Sequence, residues 1–318
     1  MMRRLAVILA ALLCLVTPAA AQSDYPNKPI RLIVPFPPGS AADYVGRLIA
    51  EKWYGNWGQP VVIENVPGAA GTIGLAKLAK SAPDGYTLAL PGDAATVVNV
   101  SLMDLPYDPL RDFAPIMQVG APPNLLVVNK DLPARDVAEL IALAKARPGK
   151  LSYASSGVGT SQHLGGEFLA AMTGIDIVHV PYKESYFVDL ISGRVDFAFA
   201  NTVIALPQVK SGAVRALAVS SAKRAKVVPE LPPVADTVPG FAATPWFGLL
   251  APAGTPQEII AKIHAATARA LDDREVQAKL ADSGFEIIAS STEDFRALIA
   301  REVPRIGALV KSRGLKPQ

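Results

Sequence analysis

Residues 30–43 read Ile-Arg-Leu-Ile-Val-Pro-Phe-Pro-Pro-Gly-Ser-Ala-Ala-Asp, the pattern of a short apolar strand, a turn of prolines and small residues, and the start of a helix. Val45, Leu48 and Ile49 follow at helical spacing, so the turn leads directly into a helix N-terminus. The unpaired N–H groups at that end, with the positive end of the helix dipole, form a site for an anion. We name residues 35–43 turn 1.

Two later stretches repeat this design, residues 65–72 (turn 2) and residues 155–163 (turn 3). All three turns are rich in small residues and in N–H and O–H donors, and none contains Lys or Arg. Such a site suits a carboxylate that must be released again, whereas a phosphate site would more often include a cationic side chain. The glycine spacings fit neither a dinucleotide fingerprint nor a P-loop. We predict that the three turns together bind a carboxylate, although single glycine-rich turns are common in α/β proteins.

The N-terminal residues 1–21 have the pattern of a secretory signal. Arg3 and Arg4 precede an apolar run over residues 5–16, and small residues lead to a cleavage site near Ala21. The apolar run is too short to span a bilayer. We therefore expect export to the periplasm with removal of this segment.

Composition narrows the function classes. The chain has 318 residues, of which 50% are hydrophobic and 19% charged, as expected for a folded protein of two domains. Its only cysteine, Cys14, lies in the signal segment, so the mature chain should have no disulfide and no thiolate site. The 31 basic and 28 acidic residues nearly balance, without basic runs, which argues against nucleic acid and anionic membranes. The three histidines share no metal-ligand spacing, and we predict neither metal nor cofactor.

Strand-like and helical segments alternate along the chain, which predicts an α/β protein with parallel sheets. Residues 106–115 are proline-rich and are expected to be irregular, and residues 255–258 predict a capping box with Pro256 at the first helical position. The predicted strands are residues 30–34, 61–64, 86–90, 125–128, 151–154, 177–180, 195–199, 214–219, 246–251 and 285–288.

Two segments, near residues 121–125 and 244–249, can carry the chain between two α/β blocks. We predict that residues 22–122 and 247–318 form lobe 1 and that residues 123–246 form lobe 2, joined by a two-segment hinge. Ligand sites in such proteins lie at the carboxyl ends of strands, in the cleft between the lobes.

Several motifs resemble those of the Bug-type (TctC-like) substrate-binding proteins of bacterial tripartite tricarboxylate transporters, in order over essentially the whole mature chain. They are Tyr25-Pro26-x-Lys28-Pro29-Ile30, Val34-Pro35-Phe36-Pro37-Pro38-Gly39 with Asp43, Gly58-Gln59-Pro60-Val61-Val62-Ile63-Glu64-Asn65, Pro67-Gly68-Ala69, Ala82-Pro83-Asp84-Gly85-Tyr86-Thr87-Leu88, Val180-Pro181-Tyr182-Lys183 and Leu250-Ala251-Pro252-Ala253-Gly254-Thr255-Pro256. The resemblance implies a two-lobe type II periplasmic binding protein that closes on a small carboxylic acid and presents it to membrane permease subunits. We expect such a chain to act as a monomer.

The same resemblance assigns ligand contacts. Turns 1 and 2 would hold one carboxylate through backbone groups and ordered water, and lobe 2 would hold the rest of the ligand. The candidate ligand-binding residues are Phe36, Pro38, Gly39, Ser40, Ala41, Asp43, Gly68, Ala69, Ala70, Gly71, Ser156, Gly157, Thr160, Ser161, His163, Tyr182, Tyr186 and Asn201.

Some roles stay open at this level. Asp43 either serves its helix N-terminus or binds a ligand hydroxyl, amine or water. His163 either donates to a carboxylate or packs in the interior. The chain departs from the family pattern at Ser40, where a glycine is usual, and at residues 184–187, which are followed by a segment about two residues shorter than usual. There Tyr186 and Phe187 either line a pocket for a longer or aromatic acid or belong to the core.

Two other functions compete with ligand delivery. A periplasmic hydrolase would need a nucleophile and a base that converge in the cleft, and Thr160-Ser161-Gln162 is not a nucleophile elbow. A sensory module that signals to a membrane receptor would use the same cleft. Recovery of unmodified ligand would separate binding from catalysis.

Overall fold

The computed structural model describes residues 25–312, and the predicted signal segment lies outside the described residues. In chain order the strands are β1 (Ile30–Val34), β2 (Val61–Asn65), β3 (Thr87–Ala89), β4 (Phe113–Ala121), β5 (Asn124–Asn129), β6 (Leu151–Ser155), β7 (Ile177–Pro181), β8 (Phe197–Asn201), β9 (Val214–Val219), β10 (Phe247–Pro252) and β11 (Glu286–Ile287). The α-helices are α1 (Ala41–Trp57), α2 (Thr72–Ala79), α3 (Val137–Ala146), α4 (Ser161–Thr173), α5 (Phe187–Ser192), α6 (Thr202–Lys210), α7 (Gln257–Asp272), α8 (Arg274–Asp282) and α9 (Thr292–Ser312).

The strands form two sheets, one in each lobe. The sheet of lobe 1 has the order β11-β4-β10-β3-β1-β2, and the sheet of lobe 2 has the order β7-β6-β8-β5-β9. The chain passes to the second sheet between β4 and β5 and returns between β9 and β10. The predicted two-lobe α/β fold with two crossings is thus confirmed. The boundaries at residues 122 and 247 stay a prediction that the strand membership supports.

The predicted parallel pairing holds for part of each sheet, because both sheets are mixed. β1 runs parallel to β2 and β3, and β6 runs parallel to β7 and β8. However, β10 is antiparallel to β3 and β4, and β5 is antiparallel to β8 and β9. β5 and β10 are the strands that enter each sheet directly from the other lobe, so no crossover helix on the same sheet forces them into the parallel direction.

The segment expected to be irregular contains the start of β4. Pro115 lies inside this strand opposite Leu250, where the register shifts between Leu249 and Leu250. Such irregularities are where a sheet tolerates a proline, because the missing N–H is not needed by the ladder. The proline-rich composition therefore led to the prediction of an irregular segment where β4 begins.

The predicted capping box is also absent from the N-terminus of α7. The Thr255 hydroxyl donates to the carbonyl oxygen of Pro252 at 2.7 Å, and Pro256 is the extended cap residue before Gln257. The hydroxyl is therefore used to close the turn after β10 and does not accept from the helix.

The core of lobe 1 explains why turn 1 is held firmly. Val45, Ile49 and Trp53 on α1 are fully buried and cluster with Ile260 and Ile263 of α7. This packing fixes the axis of α1, and with it the position of the helix N-terminus at the cleft.

Candidate functional site

Two helix N-termini meet at one cavity between the lobes. α1 follows β1 in lobe 1, and α4 follows β6 in lobe 2. Their first residues, Ala41 with Ala42 and Ser161 with Gln162, line a cavity of about 40 Å³, which we name the inner cavity. The first N–H groups of a helix lack intrahelical partners, and the helix dipole adds partial positive charge there. The inner cavity therefore suits an anion.

Asp43 holds turn 1 in place. Its carboxylate accepts hydrogen bonds from the Gly39 N–H at 2.9 Å, the Arg47 Nε at 2.9 Å and the Asn65 Nδ2 at 3.0 Å. Burial opposes ionisation of Asp43, but the hydrogen bonds from Arg47, Gly39 and Asn65 outweigh it and lower the pKa of this carboxyl. The cap itself is Ser40, whose Oγ accepts from the Asp43 N–H.

Turn 2 has an unusual backbone. Gly68, Ala69, Ala70 and Gly71 all have positive φ, at 127°, 46°, 51° and 96°. For the two alanines this conformation is costly and persists only where the surroundings impose it. Here the Asn99 Nδ2 donates to the carbonyl oxygen of Ala69 at 3.3 Å, which ties the turn to the body of lobe 1.

Turn 2 lines a second cavity of about 430 Å³, which we name the outer cavity. Across from the turn lie Val158, Tyr182 and Lys183 of lobe 2. Phe36 and Ser156 line both cavities, so the two spaces adjoin.

Two buried or half-buried histidines, His163 and His179, make polar contacts with turn 3. The His163 Nδ1 accepts from the Gly159 N–H at 3.1 Å, and the His179 Nε2 lies 2.6 Å from the Ser155 Oγ. Their rings are 4.4 Å apart. Burial lowers the pKa of His163 and of His179 to about 4, with a further contribution to His179 from His163. His163 lies below the turn, as expected from the packing alternative.

Turns 2 and 3 touch across the cleft. A Cβ atom added to Gly157 would lie 3.7 Å from the Ala70 backbone nitrogen. One added to Gly159 would lie 1.9 Å from the Asn99 Oδ1. The two lobes are therefore closed upon each other, with the inner cavity behind the contact.

Amides on the lobe 2 side complete the inner cavity. The Asn201 Nδ2 donates to the Asn124 Oδ1, and the Asn124 Nδ2 donates to the Ser161 Oγ at 3.1 Å. The Gln162 Oε1 accepts from the Ser156 N–H at 2.7 Å. These bonds orient the hydroxyl of Ser161 and the amides of Gln162 and Asn201 at the cavity wall.

The predicted site residues fall into three groups. Those that line the inner cavity are Phe36, Ser40, Ala41, Ser156, Thr160, Ser161 and Asn201. Those that line the outer cavity are Phe36, Gly68, Ala69, Ala70, Gly71, Ser156, Gly157 and Tyr182. Pro38, Gly39, Asp43, His163 and Tyr186 line neither cavity.

Tyr186 is the clearest departure from the expected site. Its side chain is 2% exposed and stacks on Phe187 in the core of lobe 2. Tyr186 lies just before α5, and Phe187 is the first residue of that helix. Both rings pack in the core of lobe 2 with Leu190. The core alternative, not the pocket alternative, describes this segment. The Tyr182 hydroxyl instead donates to Asp189 at 2.7 Å and keeps Tyr182 at the outer cavity.

Sequence reasoning missed several residues of the inner cavity: Ala42, Gly92, Asp93, Ala94, Gln162, Ile204, Pro245 and Phe247. Of the described residues that line this cavity, Asp93 alone is charged. The signal that could have found Asp93 is its position just beyond β3, at the strand edge that faces the cleft.

Within residues 25–312, no helix is long and apolar enough to cross a bilayer. Over the same residues, no cluster of His, Cys, Asp and Glu could hold a metal ion.

Comparison with known proteins places these features in context. Residues 45–315 match the model of a family described as tripartite tricarboxylate transporter family receptor. Protein BugT of Bordetella pertussis is 38% identical over 323 residues, covering 99% of both chains. The structure of R. palustris Rpa4515 with adipate superposes with a TM-score of 0.89 at 36% identity, covering 92% of this chain and 100% of the other. The periplasmic binding protein BugD gives a TM-score of 0.88 at 33% identity, with the same coverage.

Proposed function

The chain belongs to the tripartite tricarboxylate transporter receptor family, and from that membership we propose that its cleft captures a small organic carboxylate for delivery to a membrane permease. The family is one of periplasmic solute-binding proteins and not of enzymes. The resemblance drawn from the sequence motifs is thereby confirmed. The proposed ligand is a dicarboxylate or an aromatic acid, and the proposed place of action is the periplasm after removal of residues 1–21.

The observation that carries the proposal is the pair of helix N-termini at the inner cavity. α1 and α4 point their positive ends into the same space from opposite lobes. No lysine or arginine lines this cavity among the described residues. A carboxylate is therefore held by N–H and O–H donors and not by a fixed cation, which favours release when the lobes separate.

The outer cavity supports a ligand longer than a single carboxylate. It adjoins the inner cavity at Phe36 and Ser156 and is lined by Pro37, Met103 and Val158, which offer apolar contacts. Lys183 lies at its lobe 2 side and is exposed. A ligand with one carboxylate in the inner cavity and an apolar body in the outer cavity could present a second carboxylate to Lys183. The adipate in the related structure is a ligand of this chemistry.

Closure gives the mechanism of delivery. An acid that contacts both lobes stabilises the arrangement in which turns 2 and 3 meet, because it makes differential contacts with the closed form. The closed form then offers a surface made by both lobes to permease subunits. We propose the crossings near residues 122 and 247 as the hinge.

The test is a thermal-shift screen of the mature chain with succinate, malate, adipate and benzoate. We expect at least one acid to raise the melting temperature in a concentration-dependent manner, since a ligand bound only by the folded state stabilises it. The bound acid should be recovered unmodified by mass spectrometry. Stabilisation by none of the four, or their conversion to a product, would count against the proposal.

A further inference from the structure

The inner cavity, which we propose to bind an anion, is lined by an acidic residue, Asp93. Asp93 lies between Gly92 and the short helical turn Ala94–Val98, and its backbone N–H donates to the Trp246 carbonyl oxygen at 3.2 Å. Asp93 lines the inner cavity and also a second cavity of about 70 Å³, which we name the rear cavity. Its side chain is only partly buried.

Among the described residues that line the inner cavity, no side chain carries a positive charge that would neutralise an ionised Asp93. The other lining residues that carry polar side chains are Ser40, Ser156, Thr160, Ser161, Gln162 and Asn201, and none of them is cationic. An anionic ligand in this space would therefore face a second carboxylate at short range. Two carboxylates that share a confined site repel each other, and the pair retains one proton.

The charged groups of the neighbouring elements do not supply the missing cation. On α9, Glu302 and Arg305 line the rear cavity, and Glu302 is paired with both Arg301 and Arg305. On α4, His163 and Glu167 lie near Tyr153 and His179 and line neither cavity. On α1, the Asp43 carboxylate is engaged with Gly39, Arg47 and Asn65.

We propose that Asp93 contacts the bound acid in its protonated form, so that its O–H donates to a ligand carboxylate and capture of the anion takes up one proton from solvent. This inference rests on the proposed function, because it concerns the same cavity and the same ligand. Burial raises the pKa of Asp93 to about 7 even without a ligand, although backbone hydrogen bonds from Asp93, Ala94 and Trp246 act against it; the charge of Glu302 adds a smaller contribution to the rise. A second negative charge in the cavity acts in the same direction.

Calorimetric titration measures this proton directly. The acids of the thermal-shift panel, succinate, malate, adipate and benzoate, are titrated into the mature chain at pH 7, 8 and 9, at each pH in two buffers whose basic form is an uncharged or zwitterionic amine. The two buffers differ in ionisation enthalpy, so the difference in observed heat gives the number of protons taken up. We expect uptake that approaches one proton per acid at the higher pH values. We also expect the affinity to fall about tenfold per pH unit above pH 7, because only the protonated fraction binds.

Variants assign the proton to a residue. Asp93→Asn keeps a hydrogen-bond donor without a titrating group, and Asp93→Ser provides a smaller donor in case the amide fits poorly. Both should bind an acid with no proton uptake and an affinity that is constant between pH 7 and pH 9. Glu302→Gln, which removes the other carboxyl near Asp93, should keep the wild-type uptake. The two histidines have pKa values of about 4 and do not titrate in this range.

The outcomes separate the two proposals. Binding of an acid to the wild-type protein without proton uptake overturns the role of Asp93 and leaves the proposed function intact. Uptake that persists in both Asp93 variants, or that disappears in Glu302→Gln, overturns the assignment to Asp93. If neither Asp93 variant binds an acid, the assignment is judged from the wild-type protein and Glu302→Gln. Proton uptake in both supports Asp93, and its absence in either overturns the assignment. Failure of every acid to bind refutes the proposed function, and the role of Asp93 with it.

Discussion

Gly159 of lobe 2 lies against the side-chain oxygen of Asn99 in lobe 1, so close that an added Cβ atom would come within 1.9 Å of it. The Asn99 Nδ2 is engaged with Ala69 and Thr72, whereas its Oδ1 is buried without a hydrogen-bond partner in the described residues. The amide is therefore fixed and cannot easily move away. Glycine at position 159 is what permits the lobes to meet.

Gly159→Ala should accordingly impair closure. We expect the thermal shift produced by a bound acid to fall to less than half of the wild-type value, because the closed form is sterically blocked. Small-angle scattering of the acid-bound protein should give a larger radius of gyration than for the wild type. Gly174→Ala is the matched control, since Gly174 also has positive φ, at 67°, but has nothing within 4 Å of an added Cβ. A control that behaves like Gly159→Ala would assign the effect to backbone strain, of about 1 kcal/mol, and not to the interlobe contact.

Ser40→Phe should abolish binding. Ser40 lines the inner cavity beside Ala41, and a phenyl ring there would occupy the space in which a carboxylate approaches the N–H groups of α1. Loss of the cap costs about 1 kcal/mol of folding stability, so the variant should remain folded. The measurement is the acid-induced thermal shift, with Ser211→Phe on the exposed end of α6 as the control. Unchanged affinity of Ser40→Phe would remove the inner cavity from the mechanism.

The ligand-free stability of the protein should depend on Asp93. Its pKa is raised from 3.8 to about 7 in the folded state, chiefly by burial. The contribution of protonated Asp93 to the stability of the folded form is therefore fully present below pH 3.8 and is lost as the pH rises through about 7. Asp93→Asn should gain on the order of 2 kcal/mol relative to the wild type between pH 5 and pH 8, allowing for partial exposure. Urea denaturation of both proteins at the two pH values measures the difference, which should be absent if Asp93 is ionised as easily as in the unfolded chain.

His163 and His179 should give the stability of the protein a pH dependence opposite to that of Asp93. Burial lowers their pKa values from 6.5 to about 4, so the contribution of the neutral forms is present above pH 6.5 and is lost as the pH falls through 4. We expect acidification over this interval to cost on the order of 2 kcal/mol per histidine. His163→Asn retains an acceptor for the Gly159 N–H and should reduce the loss, as measured by urea denaturation at pH 7, 5 and 4. An equal acid loss in the variant would place the titrating groups elsewhere.

Replacement of Tyr186 and Phe187 by alanine tests the core assignment of this segment. Both side chains are almost fully buried in lobe 2, and truncation of a buried aromatic residue costs roughly 3–5 kcal/mol. The double variant should be strongly destabilised in urea, while the rank order of acids in the thermal-shift screen stays as in the wild type. A changed preference for ligand length with little loss of stability would return these residues to the binding site.

Local patterns predicted most of the fold. The strand, turn and helix around Ser40 and Thr160 could be recognised because each depends on neighbouring residues and on cap chemistry. The direction of β5 and β10 could not be recognised, since it depends on which lobe the chain has just left. β4 was missed because Pro115 is tolerated only through the register shift opposite Leu250, which no local pattern reveals.

The candidate site was predictable to the same extent. Small residues in turns 1, 2 and 3 pointed to the cleft, and most of them line one of the two cavities. Asp93 was missed because only the folded chain brings it to the same cavity as Ser40 and Ser161, which are distant in sequence. Tyr186 was misplaced because an aromatic residue near a predicted pocket has the same composition as a core residue, and only the path of α5 distinguishes the two.

The double crossing between the lobes has a practical consequence for engineering. Both ends of the described chain, β1 and α9, belong to lobe 1. A pair of fluorescent labels attached to β1 and α9 would therefore stay at a fixed separation while the cleft opens and shuts. An optical biosensor for the bound acid needs its second label in lobe 2, and the turn at Gly212, between α6 and β9, offers an exposed position for it.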